Sequence, residues 1–262
     1  MTLSTNQASN VNSSAPSVAR RVERVRHVLQ FRDVQVARVE PIGPDFVRVV
    51  FSGESLADFV SQGFDDHVKF ILARPGAAAD APPDRRDYTP RAWSTERREL
   101  SIDFALHGTG VASDWARQAA PGQSVVIAGP RGSMVVPTDY DWHLLIGDAT
   151  AAPAIGRRLA ELPKGARAIV VAQLADTAIL EVERSAAQVE LHQVASGDAM
   201  LSALAGLAPR SGEGYIWAAG EAATMARVRD LVLHTQGHPK EAMRIAAYWK
   251  LGADNFEHED LQ

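Results

Sequence analysis

The hydrophobic pattern of this chain changes period once, near Tyr140, and few folds accommodate both halves. Before that point, Val34–Val39, Phe46–Phe51 (FVRVVF), Val68–Leu72, Leu100–Leu106 (LSIDFAL) and Ser124–Ala128 (SVVIA) alternate or are rich in β-branched and aromatic residues. Successive strand side chains face opposite ways, so a period of two marks a half-buried strand. Pro41, Gly43 and Pro44 break the first two apart, and the Ala/Pro/Asp-rich stretch Gly76–Asp84 reads as a loop. Short strands with few helices predict a small antiparallel barrel.

After Tyr140, apolar strands at His143–Ile146, Ala168–Ala172, Val189–His192 and Tyr215–Ala218 alternate with helical stretches at Pro153–Leu162, Ala222–His234 and Pro239–Trp249. That alternation predicts a parallel sheet wound by crossovers. The expected fold class is therefore an α+β two-domain chain. An N-terminal antiparallel β-barrel over 21–139 precedes an α/β parallel-sheet domain over 140–262, which ends in a helix. The boundary falls between Pro137 and Trp142, and the Ser/Asn-rich residues 1–20 read as a disordered leader.

Composition excludes several functions. The 262 residues are 46% hydrophobic, enough for one large or two small cores. The net charge of -5 argues against nucleic acid, whose binders carry a basic stripe. There is no cysteine, so disulfides, thiolate zinc, iron–sulfur clusters and cysteine nucleophiles are excluded. Electron transfer would need a cofactor held by other means. No stretch approaches the roughly 18 apolar residues of a membrane span, and the N-terminus has no apolar signal core, so a soluble cytoplasmic protein is expected. The basic run Arg20, Arg21, Arg24, Arg26 and Arg32 suits either an anionic ligand or a solvated face.

Chemistry concentrates in a few strings. Arg86-Asp87-Tyr88-Thr89-Pro90-Arg91 sets two guanidinium forks beside an aromatic ring and a hydroxyl, a set suited to a flavin and its pyrophosphate. On a straight strand Arg86 and Tyr88 face one way, and Thr89 and Arg91 the other, unless Pro90 bends the chain. His107-Gly108-Thr109-Gly110-Val111-Ala112-Ser113 follows a strand and precedes a short helical stretch, Asp114–Gln118. It reads equally as a phosphate cradle or as a glycine turn with an ordinary cap. Gly129-Pro130-Arg131-Gly132-Ser133 is a tight turn. Gly147-Asp148-Ala149-Thr150 and Ala219-Gly220-Glu221 stand at strand-to-helix junctions, where wound sheets bind nucleotides, though no G-x-G-x-x-G is present. Tyr248 and Trp249 either cover a ligand or pack on the core.

Together RDYTPR, DFALHGTGVASDWA, GPRGS, GDATAAPAI, WAAGE and YWKLG resemble the siderophore-interacting protein family, over roughly residues 24 to 252. These are FAD-dependent ferric-siderophore reductases within the ferredoxin–NADP reductase superfamily. The resemblance implies FAD as cofactor, NADPH or NADH as electron donor, a ferric siderophore as substrate, possible input from ferredoxin, and a monomer. It implies flavin contacts at Arg86, Tyr88, Thr89 and Arg91, and at Asp103, Phe104, His107, Gly110, Val111, Ala112 and Ser113. Gly147, Asp148, Thr150, Gly220 and Glu221 match the segments facing nicotinamide dinucleotide, and Tyr248 and Trp249 are assigned to the cofactor side. Phe64-Asp65-Asp66-His67-Val68-Lys69 resembles the family's FDDHxK string, whose lysine is associated with the siderophore pocket. Arg131 and Arg244 align with its other basic positions. Gln173 stands where many members carry glutamate. No catalytic acid or base is expected. No protein-held metal is expected either, since His67, His143, His192, His234, His238 and His258 show no ligand spacing. The rival readings are a general NAD(P)H:flavin or ferredoxin-type reductase and a non-catalytic flavin or siderophore carrier.

Overall fold

A computed structural model describes residues 21–72, 82–106, 110–253, 256 and 258–261. The expected leader, most of the Gly76–Asp84 loop and His107 lie outside the described residues. In chain order the first elements are β1 (Glu23–Arg26), β2 (Phe31–Ile42), β3 (Phe46–Ser52), β4 (Val68–Leu72), β5 (Asp84–Tyr88), β6 (Pro90–Ser94), β7 (Glu99–Ala105), α1 (Val111–Arg117), β8 (Ser124–Ala128) and β9 (Gly132–Val135). There follow β10 (Trp142–Asp148), α2 (Ala152–Glu161), β11 (Arg167–Gln173), β12 (Gln188–Val194), α3 (Gly197–Gly206), β13 (Gly214–Glu221), α4 (Ala222–Asp230), β14 (Met243–Trp249) and β15 (Glu259–Asp260).

Seven N-terminal strands form one antiparallel sheet in the order β5-β4-β8-β2-β3-β7-β6, curled into a half-barrel, and β1 pairs with β9 beside it. Within β2, Val34 and Val36 point inward between exposed neighbours, as a sheet with one wet face requires. Val49, Phe51, Val68, Phe70, Leu100, Ile102, Phe104 and Ile127 fill the barrel core. Each large side chain so buried contributes about 1.5–3 kcal/mol.

The second sheet runs β12-β11-β10-β13-β14, all parallel, with β15 added antiparallel at the edge. Here α2 covers one face, while α3 and α4 cover the other. Coverage on both faces explains why Ala168–Ala172 is buried without alternation.

One expectation needs correction. Pro239–Trp249 is not helical: a single 3-10 turn at Lys240–Ala242 leads into β14, paired with β13 from Ile216↔Met243 onward. Helix-favouring Ala, Met and Lys are overridden because β13 otherwise exposes an edge, and because Ile245, Ala246 and Ala247 are buried in a two-sided sheet. The chain also holds a helix, α3, that the sequence reading passed over. Its signal was Ser196, whose hydroxyl accepts the Ala199 N–H at 3.2 Å, with Asp198 in the first turn.

One buried group on β10 sets a pH dependence. His143 is wholly buried, with the Thr138 carbonyl 3.4 Å from Nε2. Burial, reinforced by the Arg158 guanidinium, pushes its imidazole down to about 4 against the pull of that carbonyl. The unfolded chain, with an ordinary histidine near 6.5, binds the extra proton first. His143 therefore stabilises the fold above about pH 6.5, and that contribution, about 3 kcal/mol, is lost as pH falls towards 4. Unfolding midpoints across that range should drop steeply for the native chain and less steeply for His143→Gln.

Candidate active site

The RDYTPR string sits where the two edges of the N-terminal sheet meet. Its strands β5 and β6 lie at opposite ends of the strand order, yet only Thr89 separates them in sequence. On one side Tyr88 pairs with Val68 and Arg86 with Phe70; on the other Pro90 pairs with Ile102. The chain does turn at Thr89-Pro90. Arg86, Tyr88 and Thr89 all line one cavity of about 1050 Å³, whereas Arg91 lies beyond the turn and is buried away from it.

Arg91 belongs to a charged network. Its Nη2 donates to Glu181 at 2.5 Å, and its Nε lies 3.6 Å from Asp103 Oδ2. Asp103, fully buried, accepts a bidentate pair from Arg48 at 2.7 and 2.9 Å. Glu181, in the segment after β11, adopts a left-handed backbone at φ 48 and also meets Arg48 at 3.3 Å. Burial opposes its charge, yet Arg48 and then Arg91 hold its carboxyl below the usual range. Tyr88 is fixed by Phe104, 4.3 Å between centroids, and by Phe70, and burial pushes its hydroxyl well up. Phe104 itself stands behind the wall, in the core.

Other cavity residues come from distant elements. Gly110, Val111, Ala112 and Ser113 form the start of α1, which begins three residues earlier than expected. Gly110 is the cap residue, and Ser113 donates back to its carbonyl at 3.1 Å. The first amides of any helix have no intrahelical acceptor. Lys69 and Arg131 line the same cavity, with Arg85. Lys69 pairs with Asp87 at 2.8 Å. Arg85, Arg86 and Arg131 have no carboxylate partner among the described residues.

The strand order of the second sheet places its switch between β10 and β13, so Gly147 lies opposite Ala219. A nucleotide crevice forms at the carboxyl ends of such strands. A Cβ at Gly147 would stand 2.4 Å from the Ala151 Cβ and 2.8 Å from the Ala219 carbonyl, so only glycine lets the loop close over the strand. Asp148 then ties the crevice together. Its Oδ1 accepts the Thr150 amide at 2.9 Å and hydroxyl at 2.6 Å; its Oδ2 accepts the Glu221 amide at 3.0 Å and the Trp249 indole at 2.8 Å. Glu221 caps α4 through the Thr224 amide at 2.9 Å, and Gly220 packs close to Asp148. Thr150, Tyr248 and Trp249 reach the cavity; Gly147, Asp148, Gly220 and Glu221 stand behind it.

Arg244 occupies neither wall. It is bound to Asp65 Oδ2 at 2.6 Å and to Asp260 at 3.0 Å. The FDDH string is chiefly a joint between the sheets. Asp65 also accepts the Trp217 indole at 2.8 Å, and Asp66 accepts Ser61 at 2.8 Å, Gly63 at 3.1 Å and Ser133 at 2.6 Å. Arg157 of α2 makes the reciprocal reach. It donates to the Ser61 hydroxyl and carbonyl at 2.8 and 3.0 Å and to the Pro90 carbonyl at 3.0 Å, while lying over Trp93. Sequence reasoning missed Asp65, Asp66, Arg157 and Glu181 as positioning residues; only the density of acids in FDDH hinted at any of them. It also found no ligand spacing among the histidines, whereas the fold gathers His67 and His258 beside Asp87. Burial pushes the His67 imidazole down, with Asp87 pulling the other way.

An antiparallel half-barrel followed by a parallel α/β sheet, with a cavity running from the barrel seam to the sheet's switch point, is the architecture of two-domain flavin reductases. The flavohem-like FAD/NAD binding domain of nitric oxide dioxygenase from Vibrio cholerae shares this fold, with a TM-score of 0.60 at 19% identity over 81% of this chain and 96% of that one. Residues 35–84 and 77–134 match the siderophore-interacting FAD-binding domain, and residues 140–252 match the siderophore-interacting protein family. The NADPH-dependent ferric-chelate reductase of Escherichia coli K12 is 36% identical, over 87% of this chain and 96% of its own length. A siderophore utilization protein from T. fusca aligns with a TM-score of 0.78 and 29% identity, over 90% and 99% of the two chains. The chain belongs to the siderophore-interacting protein family.

The joint at Asp65 is testable. Asp65→Ala strips a buried acceptor from both Arg244 and Trp217, a change that should cost about 3–5 kcal/mol in urea unfolding. A loss below about 1 kcal/mol would show that the sheets are held elsewhere.

Proposed function

We propose that this chain is an FAD-dependent ferric-siderophore reductase that takes its electrons from NADPH, as the relative from Escherichia coli is named for doing. We assign residues 21–139 to the FAD unit and 140–262 to the NADPH unit, and place the enzyme in the cytoplasm as a monomer. The reading is carried by the cavity that joins the barrel seam to the switch point of the parallel sheet.

The residues present fit the cofactor. Arg85 and Arg86 offer guanidinium groups with no carboxylate partner among the described residues, suited to a pyrophosphate. Tyr88 offers a fixed aromatic face, Thr89 a hydroxyl, and the first turn of α1 backbone N–H groups. Arg91, Asp103 and Phe104 act by positioning that wall. Thr150 and the Asp148 hub shape the nicotinamide side, where Gly147 lets the loop close over the strand. When bound, FAD accepts two electrons as hydride and releases them singly to Fe(III), chemistry that no side chain of a cysteine-free protein supplies.

The protein's own residues then do three things. They would hold the flavin at the barrel seam, hold the dinucleotide at the switch point, and present positive charge to the chelate. Lys69 and Arg131 line the cavity; Arg244, bound to Asp65, does not. In an acidic protein such a local cluster attracts an anionic chelate that the net charge would repel. No side chain is required to move a proton.

Arg86→Ala should weaken FAD binding tenfold to about a hundredfold, the worth of a charge-assisted hydrogen bond, as read by flavin fluorescence titration. In stopped flow, NADPH should bleach the flavin and a ferric chelate should restore its absorbance. A protein reducing only free flavin or quinones would be a general reductase, and one whose flavin NADPH leaves untouched would be a carrier. Arg131→Ala should slow reoxidation by tri-anionic chelates more than by neutral ones; equal losses would remove the electrostatic role.

A further inference from the structure

One wall of the cavity carries side chains that flavin and chelate binding leave without a task. His67 immediately precedes β4, Asp87 lies on β5, and His258 immediately precedes β15. One ligand atom from each lies within 4.8 Å of the others. The two imidazole rings meet edge to face, 4.7 Å between centroids. Atoms bound to one ion at about 2.1 Å stand roughly 3–4 Å apart, so a small rotation of the side chains closes the set.

A second observation points the same way. Lys69 takes Asp87 Oδ2 at 2.8 Å, but Asp87 Oδ1 is buried and has no hydrogen-bond partner among the described residues. A buried carboxylate oxygen left unmatched is costly, and such atoms call for an explanation. An ion held between Oδ1 and the two imidazoles supplies the missing partner. Charge around the set is mixed: Lys69 and Arg244 are cationic, and Asp260 stands 4.0 Å from His258 Nε2. The ion's charge is thus not faced by cations alone.

We propose that His67, Asp87 and His258 form a binding site for a divalent first-row transition ion, and that it receives ferrous iron as the reduced ion leaves its chelate. Two imidazoles and one carboxylate with open positions are a donor set characteristic of Fe(II), whereas hard oxygen donors of a siderophore favour Fe(III). Transfer into the site involves no electron. The iron is already reduced, and it exchanges chelate oxygens for two ring nitrogens and one carboxylate oxygen. That the ion is ferrous rests on the reductase reading above; the existence of the site does not. Because His67 and Asp87 belong to the half-barrel and His258 follows β14, a bound ion would also bridge the two sheets.

The test is calorimetric titration of the full-length, FAD-loaded protein with Co(II), which outbinds Fe(II) at such donors, followed by Fe(II) under anaerobic conditions. One divalent ion should bind per chain. His67→Ala, His258→Gln and Asp87→Asn should each weaken it tenfold or more, while His192→Gln, on the surface beside Glu190, should leave it unchanged. Flavin content and unfolding midpoint identify any variant that fails to fold, and His258, at the chain's periphery, provides the variant least exposed to that failure. Absence of Co(II) binding in the native protein, or affinity unmoved by both histidine changes, overturns the proposal. A native protein that reduces ferric chelates yet binds no Co(II) removes the site and leaves the reductase reading intact. One that binds Co(II) through these residues but reduces no chelate keeps the site and removes its assignment to ferrous iron.

Discussion

A single carboxylate oxygen, Asp65 Oδ2, accepts both the Trp217 indole and the Arg244 guanidinium, and the relation of the two sheets depends on it. Asp65 is 4% exposed, so loss of its carboxylate would take this acceptor from both donors at once in the interior. Arg157 answers from the opposite side, reaching out of α2 to Ser61 and Pro90. These two contacts hold the barrel seam over the carboxyl ends of β10 and β13. The cavity owes its existence to this arrangement, since neither sheet alone encloses it.

The charged residues near the cavity divide into two groups by what they touch. Arg48, Arg91, Arg157 and Arg244 are each bound to carboxylates or carbonyls and set geometry. Arg85, Arg86 and Arg131 meet no carboxylate among the described residues and remain able to meet an anion. The sequence shows only arginines in both cases. Their partners are remote in the chain, Glu181 for Arg91 and Asp65 for Arg244, so neither spacing nor composition could sort them.

Most of the fold was legible because burial on one or two faces imprints a period. The alternation in β2 and the unbroken apolar run of β11 each marked their sheet type. The last segment was not legible: MRIAAYW carries no preference strong enough to oppose helix, and its strand state follows from the open edge of β13. At the site, the strings holding Arg86, Tyr88, Thr89 and Thr150 were visible because each is short and sits beside a strand end. Arg157 and the grouping of His67 with Asp87 and His258 were invisible, because each acquires meaning only through a partner brought in by tertiary pairing.

The single-residue link between β5 and β6 has a further consequence. Pairing on both flanks, Tyr88 with Val68 and Pro90 with Ile102, leaves no slack at Thr89. Inserting or deleting one residue there would slip a ladder by one place and turn every side chain of that strand to its opposite face. The length of this stretch is therefore as constrained as the Arg86, Tyr88 and Thr89 side chains that line the cavity. Accommodation of differently sized chelates must therefore arise from lengthening or shortening of other parts of the rim.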